Sequence, residues 1–276
     1  MSAGPAGGKQ FETGTQARLE IDLAFGAVRL VTSDRTTTCV TLHPATPGRR
    51  ADEELAAGTR VDFVGGVVAV GVPYRRLGTL LRPGAVDVVI EAPRGTSVQA
   101  DTGYAPLLAV GTLGRCRVRT SYGDVRLDDV EDAEIRTSGG NVTVGVVRRA
   151  AAISNSYGVI RVNDARGSCN LRNSAGDILV GTARDVLKIR AAYGHVAVEQ
   201  AMAGSLELVT SYGAMDVGVA EGTAVQLDVV TKNGRVVNAL TPSAPPSQPA
   251  PVLQLRARSG WGDVTLHRAL RQEADR

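Results

Sequence analysis

The chain has 276 residues, 43% of them hydrophobic and 21% charged, with a formal net charge of +3. That balance excludes a disordered chain and gives no electrostatic reason to expect nucleic acid or an anionic membrane as partner. Aromatics are only 4%, whereas 37 Val and 32 Gly dominate, a composition that favours pleated strands joined at tight corners.

No window reaches the ~18 apolar residues of a membrane span, and no basic-then-apolar leader opens the sequence, so the expected location is cytoplasmic. Cys39, Cys116 and Cys169 are odd in number and widely spaced, which argues against a disulfide framework and a structural zinc site.

In chain order, residues 1–10 are expected to be a disordered N-terminus, and residues 11–98 to be capping strands and the first coils. Within them Phe25-Gly26-Ala27-Val28-Arg29-Leu30 and Gly65-Gly66-Val67-Val68-Ala69-Val70 look like worn copies of a later repeat. Residues 48–58 read as one short helix or a loop. The segment 73–84, with Leu77, Leu80 and Leu81 among basic residues, reads as a loop over an open end; the alternative is a membrane or partner contact. Asp101-Thr102-Gly103 reads as one more worn repeat.

From residue 99 to 266 the repeat is regular. TSYGDVRL (120–127), TSGGNVTV (137–144), NSYGVIRV (155–162), NSAGDILV (173–180), AAYGHVAV (191–198), TSYGAMDV (210–217), TKNGRVVN (231–238) and SGWGDVTL (259–266) align without gaps. Their glycines are spaced 17, 18, 18, 18, 19, 21 and 28 residues apart. The last spacing is swollen by a Pro-rich loop, 239–251. Apolar residues alternate with polar ones on both sides of each glycine, the period-2 mark of strands with one buried face. Two residues after the glycine stand Val125, Val142, Ile160, Ile178, Val196, Met215, Val236 and Val264. Four after it the residues are again apolar, with Asn238 alone out of line.

A unit of ~18 residues cannot bury its own apolar face, but stacked units can. The expected fold is therefore all-β, a single-stranded parallel β-helix (β-solenoid) with ~18-residue coils and a capped N-terminus. A left-handed hexapeptide helix requires an apolar residue every six, and Asp124, Asn141, Asp177 and Asp263 violate that rule. The winding is accordingly expected to be right-handed. The charged tail 267–276 is expected to cap the last coil or trail from it.

The [ST]-x-x-G-x-[VI]-x-[VL] units resemble the bacterial β-strand-repeat family known as "putative adhesin", a domain of unknown function. LEIDLAFGAVRLVTSDRTTTCVTLHP (19–44) and VDVVIEAPRGTSVQADTGYAPL (86–107) share the resemblance, which spans roughly residues 15–266. It implies a β-solenoid, and in members with export signals or anchors an adhesive role.

Candidate chemistry is sparse. The acidic run Asp128-Asp129-Val130-Glu131-Asp132 is not repeated in neighbouring coils, and His43, His195 and His267 fall in unrelated coils. No catalytic set, metal site or cofactor site is expected. Two outward rows remain. One residue before the glycine stand Tyr122, Tyr157, Tyr193, Tyr212 and Trp261, interrupted by Gly139, Ala175 and Asn233. Rings there can cover a corner or offer an aromatic strip. Four before the glycine stand Arg119, Arg136, Arg172, Arg190 and Arg258, either a salt-bridged solvated face or a docking stripe. Three before it, the inward row of Thr120, Thr137, Asn155, Asn173, Thr210, Thr231 and Ser259 is expected to be structural, bonding between coils.

The expectation is a non-catalytic scaffold or protein–protein interaction module, monomeric or a low-order oligomer, whose partner is another protein. The rival expectations are a polysaccharide-binding or polysaccharide-active β-helix, which a cleft of carboxylates would favour, and an envelope-associated adhesin-like protein.

Overall fold

The computed structural model describes residues 8–71, 84–240 and 251–269. Most of segment 73–84, residues 1–7 and residues 270–276 of the C-terminal tail lie outside the described residues, as does most of the Pro-rich loop. The chain divides into two compact units, 1–140 and 141–276.

The first unit contains β1 (Lys9–Glu12), β2 (Arg18–Ser33), β3 (Thr37–Pro44), α1 (Arg50–Gly58), β4 (Arg60–Val64), β5 (Val67–Gly71), β6 (Val86–Pro93), β7 (Thr96–Tyr104), β8 (Leu107–Tyr122) and β9 (Val125–Gly139). β1 begins inside the segment expected to be a disordered terminus. The short helix expected over 48–58 is α1. The long strands β2, β8 and β9 each serve two stacks. In one, β5, the first half of β2, β7 and the second halves of β8 and β9 run parallel. In the other, β6, the second half of β2 and the first halves of β8 and β9 run parallel.

Both stacks end on antiparallel strands. β4 closes β5, while β3 and then β1 close β6. Reversed strand direction ends the parallel stacking at these strands. α1 is tied to this end through Asp52, a fully buried carboxylate. It accepts from the backbone N–H of Ala85 at 2.9 Å and of Thr46 at 3.1 Å, and from Arg49 Nη1 at 2.9 Å.

Between the two stacks lies the core. Ile21, Val98 and Val118 of one stack share an enclosed space with Val28, Leu107 and Leu127 of the other, and all are buried. Each fully buried Val, Leu or Ile contributes roughly 1.5–3 kcal/mol by leaving water, so the repeated rows carry most of the stabilisation.

The second unit contains β10 (Val142–Tyr157), β11 (Ile160–Ala165), β12 (Ser168–Ala175), β13 (Ile178–Ala183), β14 (Val186–Tyr193), β15 (Val196–Ala201), β16 (Gly204–Tyr212), β17 (Met215–Val219), β18 (Ala224–Asn233), β19 (Val236–Asn238), β20 (Val252–Trp261) and β21 (Val264–Arg268). Its repeat is a two-strand coil. Val142, Ile160, Ile178, Val196 and Met215 align in one stack, and Ile153, Leu171, Ile189 and Leu208 in the other. All nine are buried.

The last two coils do not stack in chain order. β20 pairs with β16 on one side and β18 on the other, and β21 lies between β17 and β19. The final unit, 259–266, is interior, and the earlier unit 224–238 is the edge. This corrects the expectation that the final coil ends the stack. Edge position accounts for the exposure of Leu227 and Val236 at inward offsets, and Asn238 is exposed beside them.

Residues 220–223 skip one slot to start β18, and β20 and β21 fill that slot. Arg268 Nη1, at the end of β21, holds the skipping segment, donating to the carbonyl oxygens of Ala220 at 3.0 Å and Thr223 at 3.1 Å.

Candidate functional site

In the regular repeat each corner carries a glycine. Gly213 and Gly262 have φ of 150° and 132°, and a Cβ on Gly262 would collide with the Gly213 carbonyl. Only glycine permits that conformation and that approach. The buried polar row braces the same corner, as expected. Asn173 Nδ2 donates to the carbonyls of Gly158 at 2.7 Å and Gly176 at 2.9 Å. Thr231 Oγ1 donates to that of Gly262 at 3.0 Å.

One residue before the corner, the aromatic side chains project outward and stack along the strand spacing. In the second unit Tyr193 stacks on Tyr212 with ring centroids 5.0 Å apart, and Tyr212 on Trp261 at 6.4 Å. Chain-order stacking would have put Asn233 between Tyr212 and Trp261. The inserted coil removes that interruption, and Asn233 stands beyond Trp261. Tyr157 is set apart, with Ala175 between it and Tyr193 in register. In the first unit Phe25, Tyr104 and Tyr122 stack at 5.5 and 5.2 Å, and the Tyr122 ring covers Gly139. Phe25 and Tyr104 are absent from the sequence-derived row. Tyr104 could have been found by aligning Thr102-Gly103-Tyr104 with Thr120-Ser121-Tyr122, a register that the pairing of β7 with β8 shows directly. Its corner carries Ala105 instead of glycine, which hid it.

Four residues before the corner, Arg119 is beside Arg136, and Arg172 beside Arg190. Arg258 is flanked by Val209 and Val230. Most of this row is salt-bridged on the surface: Arg119 to Asp101 at 3.9 Å, Arg136 to Glu134 at 3.3 Å, Arg190 to Glu207 at 3.8 Å and Arg258 to Asp228 at 3.0 Å. Exposed pairs of this kind contribute about 0–1 kcal/mol each, so a competing acidic partner can displace them. Arg172 makes no ion pair among the described residues.

One residue after the corner is a ladder that composition alone did not reveal. Asn141, Asp177 and Asp263 each accept the backbone N–H of the next coil, from Val159 at 2.9 Å, His195 at 2.8 Å and Arg235 at 2.8 Å. The same spacing that rejects a hexapeptide helix thus has a structural use.

The profile of the Toastrack DUF4097 family matches residues 86–241, more than half of the chain. The chain belongs to the Toastrack DUF4097 family. This bears out the resemblance to the "putative adhesin" β-strand-repeat proteins and supports a solenoid-like repeat.

Three solved structures are similar to this chain over most of its length. A "putative lipid binding protein" from Parabacteroides distasonis ATCC 8503 is 12% identical with a TM-score of 0.50, over 93% of this chain and 95% of that one. A "putative adhesin" from Bacteroides fragilis NCTC 9343 is 11% identical with a TM-score of 0.42, over 94% and 95%. Another "putative adhesin" from Parabacteroides distasonis is 13% identical with a TM-score of 0.37, over 94% and 95%. No curated protein matches the chain.

Elsewhere on the Toastrack chain, an open cleft in the first unit is lined by Glu20, Asp22, Asp62 and Asp101 with Arg60 and Gln99. Asp22 and Asp101 are direct neighbours across β2 and β7. Among the described residues no cluster of His, Cys, Asp and Glu is arranged to hold a metal ion, and no helix is long and apolar enough to cross a membrane.

Proposed function

We propose that this Toastrack chain is a non-catalytic interaction module that binds another protein along the face where the arginine row meets the aromatic corner. The carrying observation is the exposure of Tyr193, Tyr212 and Trp261 as one stacked run. Outward rings add nothing to the core, and rigid aromatics beside arginines are the side chains most enriched at protein interfaces. The coil in this reading has a period of about 18 residues, taken from the repeat spacing, and winds right-handed. The free thiols Cys39, Cys116 and Cys169 fit a reducing compartment, and we keep the cytoplasm as the proposed location. The protein is proposed to act as a monomer or low-order oligomer.

The test is cross-linking and purification from the native cell. Substituting Arg190→Glu with Tyr212→Ser should remove the specific partner, while Asn163→Ser on the other stack should retain it. Equal recovery with both would sink the reading.

A second reading is favoured by one observation, the carboxylate cleft. Glycoside cleavage uses two carboxylates facing one bond, and Asp22 with Asp101 are adjacent across two strands. Polysaccharide turnover that disappears in Asp22→Asn would establish this reading; the interaction reading expects no turnover. An envelope-associated adhesive role, as the family resemblance implies, would draw on the same lateral rows.

A further inference from the structure

The aromatic run of the second unit has a gap one ring wide. Adjacent coils stand ~4.8 Å apart, and where rings occupy adjacent coils they stack, Tyr193 on Tyr212 at 5.0 Å. Tyr157 and Tyr193 lie two coils apart with Ala175 between them. Their backbone positions are therefore about two strand spacings apart, roughly 9.6 Å, and Tyr157 stacks on no ring among the described residues. The Ala175 methyl is too short to fill that space. Both walls face solvent, Tyr157 at 67% exposure and Tyr193 at 59%.

We propose that the position over Ala175 is a slot for one planar aromatic ring, supplied by an aromatic side chain on an acidic, extended segment of a partner protein. This rests on the lateral-face reading above and names the partner's chemistry.

The slot is preorganised. Asn173 ties together the corner carbonyls of Gly158 and Gly176. Asp177 Oδ1 holds the backbone N–H of His195 on the next coil at 2.8 Å. A ring entering between Tyr157 and Tyr193 would have a tyrosine on each side, one strand spacing away in register, as in the existing stack. The Gly139 position of the first unit offers no such space, because the Tyr122 ring already covers it.

Charge selects the segment around the ring. Arg172 is three residues from Ala175 on the same strand, about 10 Å at ~3.3 Å per residue, and is exposed without an ion pair among the described residues. Its cross-strand neighbour is Arg190, whose own partner Glu207 stands 3.8 Å away, so positive charge is in excess beside the slot. An extended segment with a carboxylate two or three residues from its aromatic side chain spans that distance and offsets the excess.

The test uses the full chain and two fluorescein-labelled pentapeptides, one with a central tryptophan between pairs of glutamates and one with leucine in its place. Fluorescence anisotropy should show saturable binding of the tryptophan peptide, at least tenfold tighter than the leucine peptide. Ala175→Tyr should weaken it at least tenfold while leaving the melting temperature unchanged or higher, because it completes the stack. Tyr157→Ala, which removes one wall, should also weaken it. Arg172→Gln should weaken binding and flatten its salt dependence. Undiminished binding to Ala175→Tyr, no preference for tryptophan, or no saturable binding would each overturn the slot. Should the slot fail while partner capture still depends on Arg190 and Tyr212, the lateral-face reading stands; should capture be insensitive too, both fall.

Discussion

Trp261 stacks on Tyr212 with ring planes 11° apart, although all of β18 and β19 lies between them in the sequence. The contact exists because the last coil returns to a slot that the chain skipped. Consecutive elements usually neighbour one another; here β18 and β19 stand one slot away from β16 and β17, with β20 and β21 between them. A structural consequence, the order of two coils, thereby lengthens the exposed aromatic run proposed to bind a partner.

The skipped order of the last coils should depend on Arg268. Its guanidinium bonds two backbone carbonyls of the 220–223 segment, and hydrogen bonds to charged groups contribute about 1.5–3 kcal/mol each. Arg268→Ala should lower the unfolding free energy by a few kcal/mol at most and speed amide exchange in β18 and β19 before β10 to β15. Uniform exchange across the unit would contradict the assignment.

The inward rows tolerate no charge. Ile160 and Val180 are 0% and 1% exposed, so Ile160→Asp or Val180→Asp would place a carboxylate between stacked coils at a cost of several kcal/mol. The expected result is loss of soluble, cooperatively folded protein. An unchanged thermal transition would refute the register.

The thiols should separate by reactivity. Burial pushes Cys116 and Cys169 up to about 12, leaving almost no thiolate at neutral pH. Cys39 is only half-buried. An aromatic disulfide reagent should therefore label one thiol per folded chain at pH 8, and all three in denaturant. Two or more labelled in the native chain would contradict the burial of these rows.

Asp52 ties stability to acid. The Ala85 backbone N–H, outweighing the opposing effect of burial with help from Arg49 and Thr46, holds its carboxyl below the usual range. The folded value lies below the unfolded ~3.9. Its contribution is therefore complete above about pH 4 and is lost as pH falls through the folded value. Asp52→Asn should be less stable than the natural chain at pH 7, with the difference shrinking below about pH 4. A difference independent of pH would show that the charge is not involved.

The sequence makes the inward rows legible, because side chains such as Ile160, Ile178 and Val196 repeat at fixed offsets from a glycine that only a corner explains. It also places the arginine and tyrosine rows. Pairing order was not legible in the same way. Leu227 and Leu255 occupy the same offset, so either coil fits either slot by pattern. Two signals pointed to the outcome: Asn238, polar at an inward position that only an edge coil tolerates, and a Pro-rich segment too long for an ordinary corner. The antiparallel start was hidden for a similar reason. A five-residue apolar strand such as Val67–Gly71 reads identically whichever direction its neighbour runs.

The inserted coil is tested most directly by paired cysteines on the outward row, in a Cys39→Ser background. Val209 and Arg258 are direct neighbours, and so are Arg258 and Val230. Val209 and Val230 therefore lie two strands apart, roughly 9.6 Å and beyond the 4.4–6.8 Å that a disulfide spans. Mild oxidation followed by peptide mass mapping should give an intramolecular bridge in Val209→Cys/Arg258→Cys and none in Val209→Cys/Val230→Cys. The reverse pattern would show that the coils stack in chain order and that Trp261 does not extend the aromatic run.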